Sequence, residues 1–284
     1  MRTDADTGEG TPELIDLEHL GRPAAIGAWV LGDVIVDPGP ASCLGALTAG
    51  LAGREPRALA LTHIHLDHAG AAGVLAGMFP AMEVWVHERG ARHLADPSKL
   101  LASATRLYGA EMERLWGEVL PVPEERIRIL RGGETLAGMR VAYTPGHASH
   151  HVSYLHEASG YAFAGDVAGV RIGGGPTLAP TPPPDIDLPA WRESIALVEA
   201  WSPAALAITH FGSYEDPGAQ LGELREYLDE VEDLAARLDE EDFAAAVRER
   251  LSSRGGSDVA STYGHATPVA QSYAGLRRYL ERAS

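Results

Sequence analysis

The sequence predicts an α/β protein made of two related halves, and three observations carry that reading. Short apolar runs with strand character alternate with helical segments. Two of these runs end in nearly the same phrase, "LALTH" (Leu59 to His63) and "LAITH" (Leu206 to His210). Polar residues able to do chemistry cluster where such runs stop, which puts them along one edge of the sheets.

Taken in order, Glu13 to Leu20 and Ala25 to Leu31 read as extended, and "VIVDPG" (Val34 to Gly39) reads as a strand entering a turn, with Gly32-Asp33 as the hairpin between them. Ala41 to Arg54 is a short helix. Ala58 to Leu61 is a strand, too short and too evenly apolar for an exposed helix. Ala69 to Pro80 is a helix of small residues, and "MEVWVHE" is the next strand. Ala91 to Val119 is helical, interrupted at Asp96-Pro97. "ERIRIL", "MRVAYTPG", "HVSYLHE" and "YAFAGDV" are strands. Gly173 to Pro184 must be an irregular loop, because proline fixes φ and removes the amide donor. A helix runs from Leu188 to Trp201, with Asp187 as N-cap and Pro189 in the first turn. "LAITH" is expected to be the last strand. From Pro217 the chain turns to charged helices with apolar positions three and four apart, and a final helix is expected over Val269 to Glu281.

Length and composition limit the function classes. The 284 residues suit one large domain with an appendage, with boundaries expected at 1–12 (a disordered tail), 13–216 (the α/β domain) and 217–284 (a helical extension). The net charge of −17 excludes nucleic acid and anionic membrane as the main partner, since both need clustered Lys and Arg. Cys43 is the single cysteine, so there is no disulfide framework and no cysteine-rich zinc site. No secretory leader pattern and no run of about 18 apolar residues is present. The expectation is a cytoplasmic protein.

The chemistry begins at "THIHLDHAG". His63, His65, Asp67 and His68 follow an apolar strand directly. If that strand continues through His65, the side chains of His63 and His65 share a face and grip one ion, while Asp67 and His68, in the turn beyond, reach a second. Imidazole and carboxylate suit zinc, and also admit iron or manganese. A site without thiolates is a catalytic rather than a structural zinc pattern. Two ions with open positions need about seven or eight protein donors, and strand-end residues offer them: His147 after Pro145-Gly146, Asp166 in "FAGDV" and His210 in the echoed phrase.

In that order and spacing, "THIHLDHAG", "TPGHASHH", "AGDV" and "ITHFG" resemble the metallo-β-lactamase superfamily, over about residues 14 to 215. The resemblance implies an αββα sandwich with the site on one edge. It implies that His63, His65 and His147 hold one divalent metal, that Asp67, His68 and His210 hold the other, and that Asp166 bridges the two. Zinc is the first expectation for both metals. Asp37 in "IVDPG" and His151 would support the ligands from behind. Asp67 and His68 are the expected catalytic pair, with Asp67 orienting a metal-bridging hydroxide or carrying its proton. The same likeness suggests that the helices after His87 and the Pro-rich loop cover the site, with His87, His93 and Arg171 as candidate substrate contacts.

Departures narrow the branch. Cys43 is in the wrong place to be a metal ligand of a β-lactamase. "TPGHASHH" is similar to a glyoxalase II phrase, but the C-terminal region that carries basic residues in those enzymes is acid-rich here. The tyrosine of acyl-homoserine lactonases is replaced by Gly169, and no basic arm of a transfer-RNA nuclease is visible. The expectation is a dinuclear metal-dependent hydrolase of a small ester, thioester or lactone. The alternatives are a phosphodiesterase or phosphotriesterase on the same site, or a mononuclear-iron enzyme like the persulfide dioxygenases. The partner is a small-molecule substrate, and the C-terminal helices either cap the site or form a homodimer contact.

Overall fold

Residues 10–283 are described by the computed structural model. Of the expected N-terminal tail, residues 1–9 lie outside them, and Pro12 is already buried.

The first sheet is formed by β1 (Glu13–Asp16), β2 (Gly27–Leu31), β3 (Val34–Val36), β4 (Ala58–Ala60), β5 (Glu83–His87) and β6 (Ile127–Leu130), in that spatial order. The pairs from β3 to β6 are parallel and the first two pairs antiparallel. Between its strands the chain forms α1 (Leu44–Leu51), α2 (Leu66–Ala69), α3 (Ala72–Met78), α4 (Glu88–Ala95), α5 (Ser98–Tyr108) and α6 (Met112–Trp116). The second sheet runs β7 (Thr135–Leu136), β8 (Met139–Tyr143), β9 (Val152–His156), β10 (Tyr161–Phe163), β11 (Ala205–Ile208) and β12 (Gly212–Tyr214). Only β10 and β11 pair in parallel, joined by the crossover helix α7 (Leu188–Ala200). The chain closes with α8 (Pro217–Arg237), α9 (Glu240–Ala266) and α10 (Val269–Ala283).

The layers follow from strand alternation. Val34, Val36, Ala58, Ala60 and Trp85 of the first sheet pack against Val141, Val152, Tyr154, Phe163 and Ala207 of the second. The alternate residues Ile35, Leu59, Val84 and Val86 face the other way, onto Leu47, Leu75 and Leu94 of the flanking helices. Burial on both faces explains why Ala58 to Leu61 reads as evenly apolar. The outer face of the second sheet, with Leu206 and Ile208, packs on Trp191 and Ile195 of α7 and Leu221, Leu224 and Leu228 of α8. The result is an αββα sandwich. The same apolar cluster continues into Phe243 and Val247 of α9 and Leu276 of α10, so the helical extension shares its core with the second sheet. No helix of the described residues is long and apolar enough to cross a membrane.

Several local expectations are corrected. β4 stops at Ala60, so His63 and His65 lie beyond the strand, in a segment whose Leu61 amide bonds to Trp85 of β5 and whose Thr62 carbonyl accepts from Val152 of β9. The helix expected from Ala69 to Pro80 is the shorter α3, and a separate one-turn helix, α2, precedes it. "LAITH" is followed by one more strand, β12, because Gly212 adopts φ +99° and turns the chain back antiparallel to β11. α9 runs through Gly255-Gly256 to Ala266; burial of Leu251 on one side and Tyr263 on the other offsets a helix cost of about 1 kcal/mol per glycine. The expected N-cap of α7 is present: the Asp187 side chain accepts from the Ala190 amide.

Candidate metal centre

Each proposed ligand comes from a chain segment leaving a sheet at the same edge. His63 and His65 follow β4, and His65 precedes α2 in extended conformation (φ −62°, ψ 151°), which turns Asp67 and His68 back into the site from the first turn of that helix. His147 is in the loop after β8, Asp166 in the 3-10 turn after β10, and His210 directly beyond Thr209, after β11. Two glycines let these segments approach. A Cβ on Gly146 (φ +136°) would lie 2.3 Å from Trp191 Cα, and one on Gly165 (φ +44°) 2.6 Å from Thr62 Oγ1.

The seven side chains converge. His63 Nε2 lies 3.1 Å, and His147 Nε2 2.9 Å, from His65 Nδ1. On the other side, His210 Nε2 is 3.4 Å and His68 Nε2 3.9 Å from Asp67 Oδ2. Asp166 stands between the two groups: its Oδ2 is 3.3 Å from His147 Nε2, and its Oδ1 is 3.3 Å from His68 Nε2 and 3.7 Å from His210 Nε2. Within His63–His65–His147, within Asp67–His68–His210 and within His63–His68–Asp166, the ligand atoms lie within 4.8 Å of one another. Nε2 of His68, Nε2 of His210 and Oδ1 of Asp166 are buried with no hydrogen-bond partner. Buried polar atoms are rarely left so, and a nitrogen-and-oxygen donor set aimed at shared points fits zinc, iron or manganese. The residues fit divalent cations.

The other ring nitrogens are held from behind. His68 Nδ1 meets Asp37 Oδ2 at 2.8 Å, His147 Nδ1 the Pro180 carbonyl at 2.8 Å, His210 Nδ1 the Ala25 carbonyl at 2.7 Å, and His63 Nδ1 the Thr62 hydroxyl at 3.1 Å. Such bonds fix the tautomer that leaves Nε2 free for metal. Asp37 also accepts from the Thr62 amide (2.8 Å), the Thr62 hydroxyl (2.7 Å) and the Thr209 hydroxyl (3.1 Å). His151, expected in a similar role, stacks on His63 with ring centroids 5.1 Å apart and is hydrogen-bonded through Nδ1 to Thr144.

The electrostatics divide the centre. Burial, with the other histidines acting in the same direction, holds His63 well below the ordinary imidazole range and brings His65 to about 4. Burial also lowers His147, against the pull of Asp166. His68 and His210 go the other way: burial lowers them, but Asp166 and Asp67 more than offset it, helped at His68 by Asp37. Burial raises Asp67 and Asp166, yet His68 and its neighbours hold both below the usual carboxylate range.

A cavity of ≈ 260 Å³ opens onto His65, Asp67 and Asp166. Its walls are largely apolar: Leu100, Ala104 and Tyr108 of α5, Trp116 of α6, the Pro-rich loop, and residues 264–272 where α9 meets α10. No lysine or arginine lines it among the described residues. His93 lines a second, more open cavity that also reaches His65. His87 and Arg171 line neither of these two cavities. His87 caps α4 by accepting from the Arg89 amide and stacks on Tyr143, with centroids 4.3 Å apart. Arg171 is engaged by Asp216 at 2.8 Å and lies 4.3 Å over the Tyr214 ring. Sequence reasoning missed Thr62 and Thr209, whose one visible signal was the echoed phrase, and the wall residues Tyr108 and Trp116, for which there was none.

A two-sheet sandwich whose edge gathers five histidines and two aspartates (His63, His65, Asp67, His68, His147, Asp166 and His210) around shared points defines a metal-site class of protein. The family model for the metallo-beta-lactamase superfamily matches residues 28–210, and the chain belongs to that superfamily. Among curated proteins it is similar to the metallo-beta-lactamase fold-containing protein ST1585 of Sulfurisphaera tokodaii, with 32% identity over 54% of this chain and 60% of that protein. It is also similar to a hydroxyacylglutathione hydrolase of Enterobacter, with 32% identity over 49% of this chain and 45% of the relative. The matched part thus spans about half the length of these relatives. Among solved structures, an archaeal superfamily member, ST1585 from Sulfolobus tokodaii, shares the fold with a TM-score of 0.69 and 22% identity, covering 94% of this chain and 98% of that one.

Proposed function

We propose that the protein is a metal-dependent hydrolase acting on a small ester, thioester or lactone with an uncharged, largely apolar acyl group. The observation that carries this reading is the apolar cavity that reaches Asp67 and Asp166 with no lysine or arginine in its wall. Away from the metal positions, a phosphodiester in that cavity would meet no lysine or arginine, which favours a neutral carboxyl ester over a phosphate ester.

When bound, two divalent cations supply a nucleophile from water near neutral pH and polarise the oxygen of the scissile group. The rest falls to the chain. His63, His65 and His147 provide neutral nitrogens, kept neutral by burial. Asp166 offers one oxygen to each side. Asp67 is the ligand carboxylate with the greater exposure, 23% of its side chain against 5% for Asp166, and it faces the cavity. That position lets it orient the attacking water and receive its proton. Tyr108 is kept protonated by burial and by the nearby charge of Asp67, and its hydroxyl donates to Gln271 Oε1 at 3.3 Å in the cavity wall. Trp116 and Leu66 exclude bulk water from the same space.

The test is metal analysis of the purified protein together with a panel of matched aryl esters, thioesters, lactones and phosphodiesters. Carboxyl-ester hydrolysis that disappears on metal removal and returns on reloading is the expected result. Activity confined to phosphodiesters would replace this reading with the phosphoesterase one. A single bound iron with oxygen uptake and no hydrolysis would replace it with a redox one.

A further inference from the structure

The second cavity adjoins the first. Its volume is ≈ 710 Å³, and His65, Leu100, Ser103 and Pro184 belong to the walls of both. Its character is opposite. Arg89 and Arg92 of α4 and Lys99 of α5 line it, in a chain whose net charge is −17. None of the three has a carboxylate partner among the described residues, whereas most arginines elsewhere in the chain are paired: Arg131 with Glu88, Arg192 with Asp229 and Glu232, Arg250 with Glu230. The two carboxylates in the wall are engaged: Glu88 by Arg131 at 2.8 Å, and Asp185 by the Ser149 hydroxyl at 2.7 Å. His93 adds no charge of its own, since burial and the adjacent Arg92 and Lys99 hold it below the ordinary imidazole range. Three cations on consecutive helices outnumber Asp185, the one carboxylate of the wall without an arginine partner, and form an anion-attracting cleft.

We propose that this cleft is a subsite for an anionic leaving group, so that the substrate is an ester or thioester with an uncharged acyl group in the apolar chamber and a phosphate- or carboxylate-bearing alcohol or thiol lying across Arg89, Arg92 and Lys99. The proposal rests on the hydrolase reading above. For a thioester, the oxygen of water bonds to the acyl carbon, the C–S bond breaks with its electron pair on sulfur, and the products are a carboxylate, a thiol and one proton. The shared wall at His65 puts the scissile bond between the two chambers. The hydroxyacylglutathione hydrolase relatives are named for a substrate with a carboxylate-bearing thiol; the cations assigned here come from α4 and α5, ahead of the C-terminal helices.

A matched pair of thioesters tests this on the metal-loaded full chain: hexanoyl-pantetheine and hexanoyl-4′-phosphopantetheine, which differ only by the terminal phosphate. The expected kcat/KM ratio favours the phosphorylated form by about tenfold at low salt, the combined effect of exposed charge pairs, carried mainly in KM, and it shrinks as ionic strength rises. In the triple variant Arg89→Ala/Arg92→Ala/Lys99→Ala the ratio falls to about 1. Equal kcat/KM for both thioesters in the parent protein, or a preference that survives the triple variant, overturns the subsite. The hexyl thioethers of the same two thiols, which cannot be hydrolysed, are then titrated by calorimetry. A phosphate preference in binding that the triple variant abolishes, with no thioester hydrolysed, leaves the subsite standing and the hydrolase reading overturned. Hydrolysis of both thioesters without preference does the reverse.

Discussion

Thr62 and Thr209, one at each end of the echoed strand phrases, donate their hydroxyls to the same oxygen of one carboxylate, Oδ2 of Asp37, over 2.7 and 3.1 Å. The parallel extends further. Trp29 of the first sheet donates to the Ile208 carbonyl, and Tyr154 of the second to the Leu61 carbonyl, so each phrase is braced by an aromatic donor from the opposite sheet just before its threonine. Because His68 Nδ1 reaches that same oxygen, Asp37 joins both halves to one ligand. Asp37→Asn replaces an acceptor oxygen with an amide facing three donors, or keeps the oxygen and abandons the Thr62 amide. We expect metal affinity at the Asp67–His68–His210 group to fall about 10–100-fold. Chelator competition measures it, and a change below about threefold in a folded variant would contradict the role given to Asp37.

Protons and cations compete for the same lone pairs, and the two groups of ligands should lose that competition at different pH. His68 and His210 hold their protons to higher pH than an ordinary imidazole, so falling pH protonates them first. His65, at about 4, and His63 and His147, also lowered, remain neutral further down. Acidification is therefore expected to release metal in two steps, from the Asp67–His68–His210 group first and from the three-histidine group later. Metal content after equilibrium dialysis at descending pH checks this; release of both ions in one step would refute it.

Asp67→Ala removes a carboxylate that faces the cavity and lies 3.4 Å from His210 Nε2. Hydrolysis of the best ester or thioester should fall at least about 100-fold, the scale of a lost general base. A variant that retains both metals and loses less than tenfold would show that Asp67 is a ligand only.

Ala104 lines the chamber from α5 and is nearly buried. Ala104→Phe fills part of that space. Long acyl chains should lose kcat/KM at least about tenfold more than acetyl, because a well-packed site cannot absorb the extra volume. A uniform loss across chain lengths would place the acyl group elsewhere.

Leu224 of α8 is fully buried against the second sheet. Leu224→Ala should cost about 2–5 kcal/mol in urea unfolding, with a single transition if α8 and the sandwich unfold together. Two separate transitions would instead make residues 217–284 an independent unit.

Much of the centre was legible in the sequence because its side chains come from short phrases at chain exits: "THIHLDHAG" alone carries four of the residues that converge. The rest was hidden for identifiable reasons. The Ala25 and Pro180 carbonyls that hold His210 and His147 are backbone groups, which leave no mark on residue identity. The chamber wall is assembled from α5, α6 and the α9–α10 junction, segments far apart in the chain. His87 and Arg171 look chemically free in sequence, but each is engaged by neighbours distant in the chain, Tyr143 for one and Asp216 with Tyr214 for the other. The shared face of His63 and His65 depended on the strand at Ala58 to Leu61 continuing through His65, whereas sheet pairing stops at Ala60.

The chamber wall contributed by residues 264–272 lies on a different stretch of the chain from every proposed ligand. The same junction touches the loop behind the metal edge: the Ser272 carbonyl accepts from the Thr181 hydroxyl, next to Pro180, whose carbonyl holds His147. Changes in the last helices can therefore alter together what the chamber admits and how firmly one ligand is held.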